Sequence, residues 1–430
     1  MGNYAEFWVG PLFLGRTKSE ADPRLLHLFR ESDRNVVEGT KKELPFTERL
    51  WFDYAKDGES ITSFYYHAPV PIVRDRLNLK GYTLETAKSA LSLCLDRSAK
   101  MFPAWREHFQ ELALATADDW FKGLQRIREN SEETELRAPL NRVIACMRGV
   151  DWFGFPGPDL NVPLRLALEI CPDSDDFVCD MTDLLLAEHA HPTDEPLSWG
   201  NLSLSDPNSN GKTILITEGR SDAWIISEAL KLLYPHLADE FTFMDFEGAR
   251  VSGGAGTLAN ILKAFAGAGI VNKTIGIFDN DTAAEAAIRT LRNVSLPPNI
   301  VVLKLPDLES LRAYPTIGPS GPTSMNVNGM AASLELYLGI QALTDERGNI
   351  PPIQWTGYDP NLRRYQGEVL QKAEIQERFR RRLEACATNA QLVEQTDWSG
   401  IRPILAAIFA AFHDFDRRRI ASSIDEHYFS

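Results

Sequence analysis

Apolar and polar positions change rhythm more than once along this chain of 430 residues. Tyr4-Ala-Glu-Phe-Trp-Val, a turn at Gly10-Pro11 and then Leu12-Phe-Leu predict a short hairpin. From Leu84 the period lengthens. Leu84, Ala87, Leu91, Cys94 and Leu95 recur at helical spacing, and residues 105–114, 120–128 and 136–147 repeat the pattern. The first two hundred residues therefore predict a mainly helical domain with a small β element. Two stretches dense in breakers follow, His191-Pro-Thr-Asp-Glu-Pro and Ser205-Asp-Pro-Asn-Ser-Asn-Gly, and they mark a boundary.

Beyond it strands and helices alternate. Strands are expected at 213–217, 241–246, 273–278 and 300–303, with helices at 222–233, 258–266 and 283–291 between them. This order predicts an α/β fold, a mostly parallel sheet flanked by helices on both faces and built from right-handed βαβ units. A Pro/Gly loop at 314–328 leads to a helix at 331–338. Helical periodicity then returns at 369–386 and 401–412. The expected division is 1–205, 206–345 and a helical C-terminal region, 346–430. No internal repeat is present.

Composition narrows the class. Hydrophobic residues at 44% and charged residues at 24% describe a globular chain. The five cysteines are scattered, and Cys171 and Cys179 stand too far apart for a CxxC knuckle, so reduced, buried thiols are expected. The first fifteen residues lack a basic region followed by an apolar run. No stretch approaches the ~20 apolar residues that span a bilayer. A soluble, cytoplasmic protein without a membrane partner is the expectation. The net charge of −15 argues against a general nucleic-acid coat. It leaves room for an enzyme that meets a polyanion through divalent metal and local basic patches. Arg378, Arg380, Arg381 and Arg382 form one such patch and Arg417, Arg418 and Arg419 another; interleaved Glu374, Glu377 and Glu384 equally suit a solvated helix face.

The chemistry lies at strand ends, where ligands gather in open parallel sheets. The first strand of the α/β segment runs into Glu218-Gly-Arg-Ser-Asp222, and the third into Asp279-Asn-Asp281. A lone Asp there often caps the next helix. Two adjacent strands would instead bring Glu218, Asp279 and Asp281 together. Converging like charges raise one another's pKa unless a cation sits between them, and Mg²⁺ (or Mn²⁺) suits such oxygen ligands. Asp222, on the first turn of the following helix, is a further ligand candidate or a helix-dipole carboxylate. Glu335 is expected to be an exposed helix residue, and Glu285 to face solvent. Gly253, Gly254 and Gly256 could bring backbone N–H groups to a phosphate, or could serve a turn. Lys304, Arg378 and Arg381 are weaker phosphate-binding candidates. Asn210-Gly-Lys-Thr213 ends like a P-loop, but Asp206 replaces its first glycine and a strand follows, so Walker A is set aside.

Ile214-Leu-Ile-Thr-Glu218-Gly-Arg-Ser-Asp222 with Ile275-Gly-Ile-Phe-Asp279-Asn-Asp281 resembles the Toprim domain, whose marks are a Glu after one strand and Asp-x-Asp after a later one. The resemblance covers about residues 211–339, and the OLD-like nucleases are its nearest form, since Asp222 and Glu335 resemble their additional acidic residues. Met1-Gly-Asn-Tyr-Ala, Asp22-Pro, Leu28-Phe-Arg-Glu-Ser-Asp33 and Pro71-Ile-Val-Arg-Asp-Arg-Leu-Asn-Leu-Lys-Gly-Tyr-Thr-Leu84 resemble the HEPN/Toprim-associated N-terminal domain, found fused to effectors of bacterial defence. Catalytic HEPN ribonucleases carry Arg, four to six residues, then His. No histidine here matches, and Arg419 with His427 is one residue too wide. The resemblance thus implies a Mg²⁺-dependent endonuclease acting on DNA or RNA in anti-phage defence, with Glu218, Asp279 and Asp281 catalytic. The alternative is a metal-binding nucleic-acid or nucleotide sensor without turnover. Self-association or a regulatory partner subunit fits either reading.

Overall fold

The computed structural model describes residues 3–40, 58–129, 139–191, 211–248 and 252–429. The breaker-rich residues 192–210 and the start of the helix expected from 136 lie outside them. The chain forms two compact units, Met1–Ser209 with His413–Ser430, and Asn210–Phe412.

In the first unit, β1 (Tyr4–Val9), β2 (Leu12–Lys18), β3 (Arg34–Thr40), β4 (Ser60–Pro69) and β5 (Asp176–Asp180) make one antiparallel sheet in the order β2-β1-β5-β4-β3. The expected hairpin is β1–β2, but the β element is larger than the small one predicted. Its centre, β5, comes from the far end of the unit, so no local alternation announces the pairing. Helices α1 (Val70–Leu79), α2 (Leu84–Met101), α3 (Ala117–Arg128), α4 (Pro139–Met147) and α5 (Asn161–Ile170) are the longer ones between β4 and β5, with shorter helical turns beside them. Thr83 caps α2 by accepting from the Thr86 N–H, and Thr116 with Asp119 makes a reciprocal capping box on α3. Phe7, Phe29, Phe64, Tyr66, Trp120 and Phe177 are fully buried, each burial contributing ~1.5–3 kcal/mol. The closing helix His413–Phe429 joins this core through Ile420, Ile424 and Tyr428. The Ser98 and Tyr428 hydroxyls meet at 2.6 Å, and Arg97 Nε donates to Asp425 Oδ1 at 2.9 Å.

The second unit is built on a four-stranded parallel sheet, β6 (Thr213–Ile216), β7 (Phe241–Phe243), β8 (Thr274–Phe278) and β10 (Ile300–Lys304), in the order β10-β8-β6-β7. β9 (Asn280–Asp281) continues from β8. Helices α6 (Arg220–Leu233), α7 (Ala255–Ala268) and α8 (Thr282–Leu291) connect the strands. Ile216, Phe278 and Ile300 pack with Leu258, Leu262, Ala284 and Leu291 of α7 and α8. A Cβ on Gly276 would lie 2.5 Å from Leu262 Cδ1, so glycine lets α7 settle onto β8.

The expected loop at 314–328 is largely a hairpin, β11 (Tyr314–Gly318) and β12 (Gly321–Met325). Pro322 sits on the edge strand β12, the place in a sheet where a residue without an N–H is tolerated. The helix expected at 331–338 is instead β13 (Ala331–Ala332), paired with β9, and a 3₁₀ turn, Leu334–Tyr337. The region 346–430 opens with a second hairpin, β14 (Ile353–Asp359) and β15 (Arg364–Val369), before α9 (Lys372–Thr388) and α10 (Ile401–Ala410), which both pack on α6. Its last helix belongs to the first unit. No helix among the described residues is long and apolar enough to cross a membrane.

Candidate metal and catalytic site

β6 and β8 are parallel neighbours, with Ile214 opposite Thr274 and Ile216 opposite Gly276, so their carboxyl ends lie side by side. Glu218 leaves the first and Asp279 the second. The Asp279 backbone N–H donates to Glu218 Oε1 at 2.9 Å. A third segment closes in from the 3₁₀ turn: the Leu334 N–H donates to Asp279 Oδ1 at 3.0 Å. Asp281 caps α8, accepting from the Ala284 N–H at 2.7 Å, and Asp222 is buried on the first turn of α6.

Glu335 is 0% exposed, which excludes the exposed-helix reading. Ser333 Oγ donates to its Oε2 at 2.7 Å. Its Oε1 receives Gln376 Nε2 at 2.7 Å and lies 3.0 Å from Lys372 Nζ. Lys372 and Gln376 stand one turn apart on α9, and the sequence reading missed both. Their one signal was an i, i+4 polar pair opening a helix, which most solvated helices share.

The carboxylates lie within one another's fields. Burial first, then Glu218, Asp222, Asp281 and Glu335, drive the Asp279 carboxyl far above its ordinary range. Glu218 is pushed up to about 7 by burial, with Asp281 and Asp222 adding and the Asp279 N–H and Lys372 opposing. Burial lifts Asp222 to about 6 against Lys372, with Glu335 adding to the rise. Asp281 is raised by burial against the Ala284 and Ala283 N–H groups, Lys372 and Lys304. Burial works to lower the Lys372 ammonium, yet Glu335, Asp222 and Asp279 hold it above its usual value. Five acidic groups thus lie in the field of Lys372, and Asp281 also in that of Lys304. Among the described residues, no group of three or more His, Cys, Asp and Glu side chains is arranged to hold a metal ion as it stands. The chemistry of the donors nonetheless suits a hard divalent cation, all oxygen and mutually repelling.

The weaker candidates divide. Gly253 and Gly254 support Glu218: the Gly254 N–H donates to the Glu218 carbonyl at 2.6 Å, and a Cβ on Gly253 would lie 2.7 Å from that oxygen. A Cβ on Gly256 meets open space. Lys304 is exposed and acts on Asp281 through its field. Arg378 donates to the Ala342 carbonyl at 2.7 Å and Arg381 to Glu377 at 2.8 Å, while Arg380 also bonds Glu377, as on a solvated helix face. Glu285 pairs with Arg289 at 3.4 Å and is only 17% exposed, so it does not simply face solvent. Four cysteines are buried and all five are free.

Residues 1–195 match the family described as HEPN/Toprim N-terminal domain 1. The match ends before the carboxylate cluster and covers most of the first unit. A HEPN/Toprim N-terminal domain points to a nuclease-related role for the chain that carries it. No curated protein and no solved structure matches this chain.

Proposed function

We propose that the chain is a divalent-metal-dependent nuclease of Toprim type, acting in the cytoplasm on phosphodiester bonds of DNA or RNA as an effector of bacterial anti-phage defence. One observation carries the reading: the Asp279 N–H bonds Glu218 and the Leu334 N–H bonds Asp279, so three chain segments bring Glu218, Asp222, Asp279, Asp281 and Glu335 to one end of the sheet, in the field of Lys372. Glu218, Asp222, Asp279 and Asp281, with Glu335, would hold Mg²⁺ or Mn²⁺. Bound there, such an ion supplies a Lewis acid that offsets charge developing on a phosphodiester. In place of a ligand role, Glu218 could serve as general acid or base, since burial raises its carboxyl to about 7 when no ion is bound. Lys372, 49% exposed, can donate to a phosphate oxygen.

A surface beside the cluster supports a nucleic-acid substrate. Tyr358 and Tyr365 are 53% and 48% exposed, with ring centroids 5.3 Å apart, and Trp355 lies 5.6 Å from Tyr365. Thr282 Oγ1 donates to the Tyr365 carbonyl at 2.6 Å, tying this patch to the residue after Asp281. Exposed aromatic faces are what unpaired bases stack on.

The second reading, a metal-binding sensor without turnover, gains from the hydrogen bonds that occupy both oxygens of Glu335. Incubating purified chain with supercoiled plasmid, single-stranded DNA and total tRNA, in Mg²⁺, Mn²⁺ or EDTA, separates the two. Metal-dependent cleavage that disappears in Asp279→Ala supports the nuclease. Intact substrates in every metal support the sensor. Phage plating with parent and Glu218→Ala chains tests the defence role.

A further inference from the structure

The carboxylates by themselves do not distinguish a paired strand from an unpaired one; the sheet beside them does. β11, β12, β14 and β15 lie in the order β12-β11-β14-β15. Side chains alternate between faces along a strand, so Trp355 and Tyr358, three apart on β14, would ordinarily point opposite ways. A bulge at Thr356 prevents this. Trp355 pairs with Gly367 and Tyr358 with Tyr365, two residues apart on β15, so the three rings share one face. Bulges of this kind re-aim side chains and are frequent beside active sites. Trp355 lies across the sheet between glycines on both neighbouring strands. A Cβ on Gly367 would stand 2.9 Å from its Cε3, and one on Gly318 would stand 3.4 Å from its Cδ1. The indole therefore rests one face on backbone and turns the other outward.

The hairpin is fixed both in itself and to the carboxylate segment. Asp359 Oδ1 accepts from the Asn361 and Leu362 N–H groups at 2.8 and 2.9 Å, which sets the turn. Arg364 Nη1 donates to the Gly329 carbonyl at 3.1 Å, and the Gly329 N–H donates to the Asn280 carbonyl at 2.9 Å. With the Thr282–Tyr365 bond, the hairpin is thus anchored on both sides of Asp281. Its aromatic face carries no carboxylate, because Asp359 and Glu368 alternate to the other side. Arg363, exposed at the turn, forms no ion pair among the described residues.

The angles between the rings select the occupant. Tyr358 and Tyr365 stand at 65° to each other, and Trp355 and Tyr365 at 47°. Bases in a duplex are parallel and covered by their neighbours, so rings set at such angles cannot stack on successive steps of one. A single strand turns each base separately and offers its faces.

We propose that the β14–β15 hairpin is a single-strand platform, so that the nucleic acid taken by the carboxylate site is unpaired, with bases on Tyr358, Tyr365 and Trp355 and a phosphate near Arg363. What becomes of the strand rests on the nuclease reading; its capture does not. Fluorescence anisotropy of the full chain in EDTA tests the capture, with labelled oligo-dT, oligo-U and an oligo-dT·oligo-dA duplex of equal length as probes. The single strands are expected to bind at least about tenfold more tightly than the duplex. Tyr358→Ala should weaken single-strand binding about tenfold, Tyr358→Phe should hold it within about twofold, and neither should move duplex binding. Photocrosslinks from a strand carrying 5-iodouridine should map to residues 353–369, and they decide the matter if Tyr358→Ala unfolds. The proposal is overturned if the duplex binds as tightly as the single strands, if Tyr358→Ala binds them like the parent, or if the crosslinks map elsewhere. Single strands held on the hairpin but cut in no metal would remove the nuclease reading and leave the platform; metal-dependent cutting by a chain indifferent to Tyr358→Ala would do the reverse.

Discussion

Glu6 and Asp180 face each other across β1 and β5, only 7% and 2% exposed. Burial is the first reason that Glu6 rises from 4.5 to about 7. Asp180 then adds to the rise, while Trp8 Nε1, 3.3 Å from Glu6 Oε2, and Arg16 oppose it. The rise spans about 2.5 pH units, which at ~1.4 kcal/mol each is ~3 kcal/mol of cost for the ionised form. The folded chain keeps this proton between pH 4.5 and about 7, where the unfolded chain has released it. Stability therefore falls as pH rises through that window, and the whole cost is present above it. Asp180, raised by burial from 3.8 to about 6, adds a cost of the same sign at lower pH. Glu6→Gln keeps the shape and the acceptor for Trp8 but has no charge to bury. Against the parent it should gain almost nothing near pH 4.5 and ~2–3 kcal/mol near pH 8. Urea unfolding followed by tryptophan emission, run at both pH values, reads this as a midpoint difference that opens with pH. Equal midpoints near pH 8, or a larger gain at the acid end, would show that the pair is not the buried charge conflict described.

Three further outcomes follow from the second unit. Asp279→Asn retains an acceptor for the Leu334 N–H and removes the most conflicted charge, so it should raise the metal-free thermal midpoint above neutral pH while cleavage falls to background. Lys372→Met leaves Glu335 buried without its counter-charge; with half of Lys372 exposed, a loss of ~1–3 kcal/mol is expected, and Glu335→Gln in the same chain should recover most of it in a double-mutant cycle. Tyr365→Ala should weaken single-strand binding by ~1–3 kcal/mol in a fluorescence titration, with the thermal midpoint nearly unchanged because the ring is half exposed.

The parallel sheet was legible because its strands carry their signal locally. Thr274–Phe278 is buried at every position and reads as one short apolar run, and Asp279 and Asp281 follow it directly. Adjacency of Glu218 and Asp279 was also foreseeable, since a parallel sheet aligns its carboxyl ends. The five-stranded sheet of the first unit was not. Ile61, Phe64, Tyr65 and Tyr66 spell a strand, but its partner β5 is remote in sequence and no turn joins them. The 331–338 segment misled through composition: Ala331, Leu334, Leu336 and Leu338 suit a helix, while tertiary pairing of Ala331 with Asp281 draws its start into a bridge. That override buries Glu335, and without it the contact with Lys372 could not be foreseen.

The return of residues 413–430 to the first unit has a consequence for biosynthesis. Tyr428 meets Ser98 across 330 residues of chain, so the ribosome has made the entire parallel-sheet unit before the helix that seals the earlier core emerges. Until then the places of Ile420, Ile424 and Tyr428 stand open, an apolar gap of the kind chaperones bind. Translation that stalls anywhere before that helix leaves a visibly unfinished product, which proteolysis can remove before it accumulates.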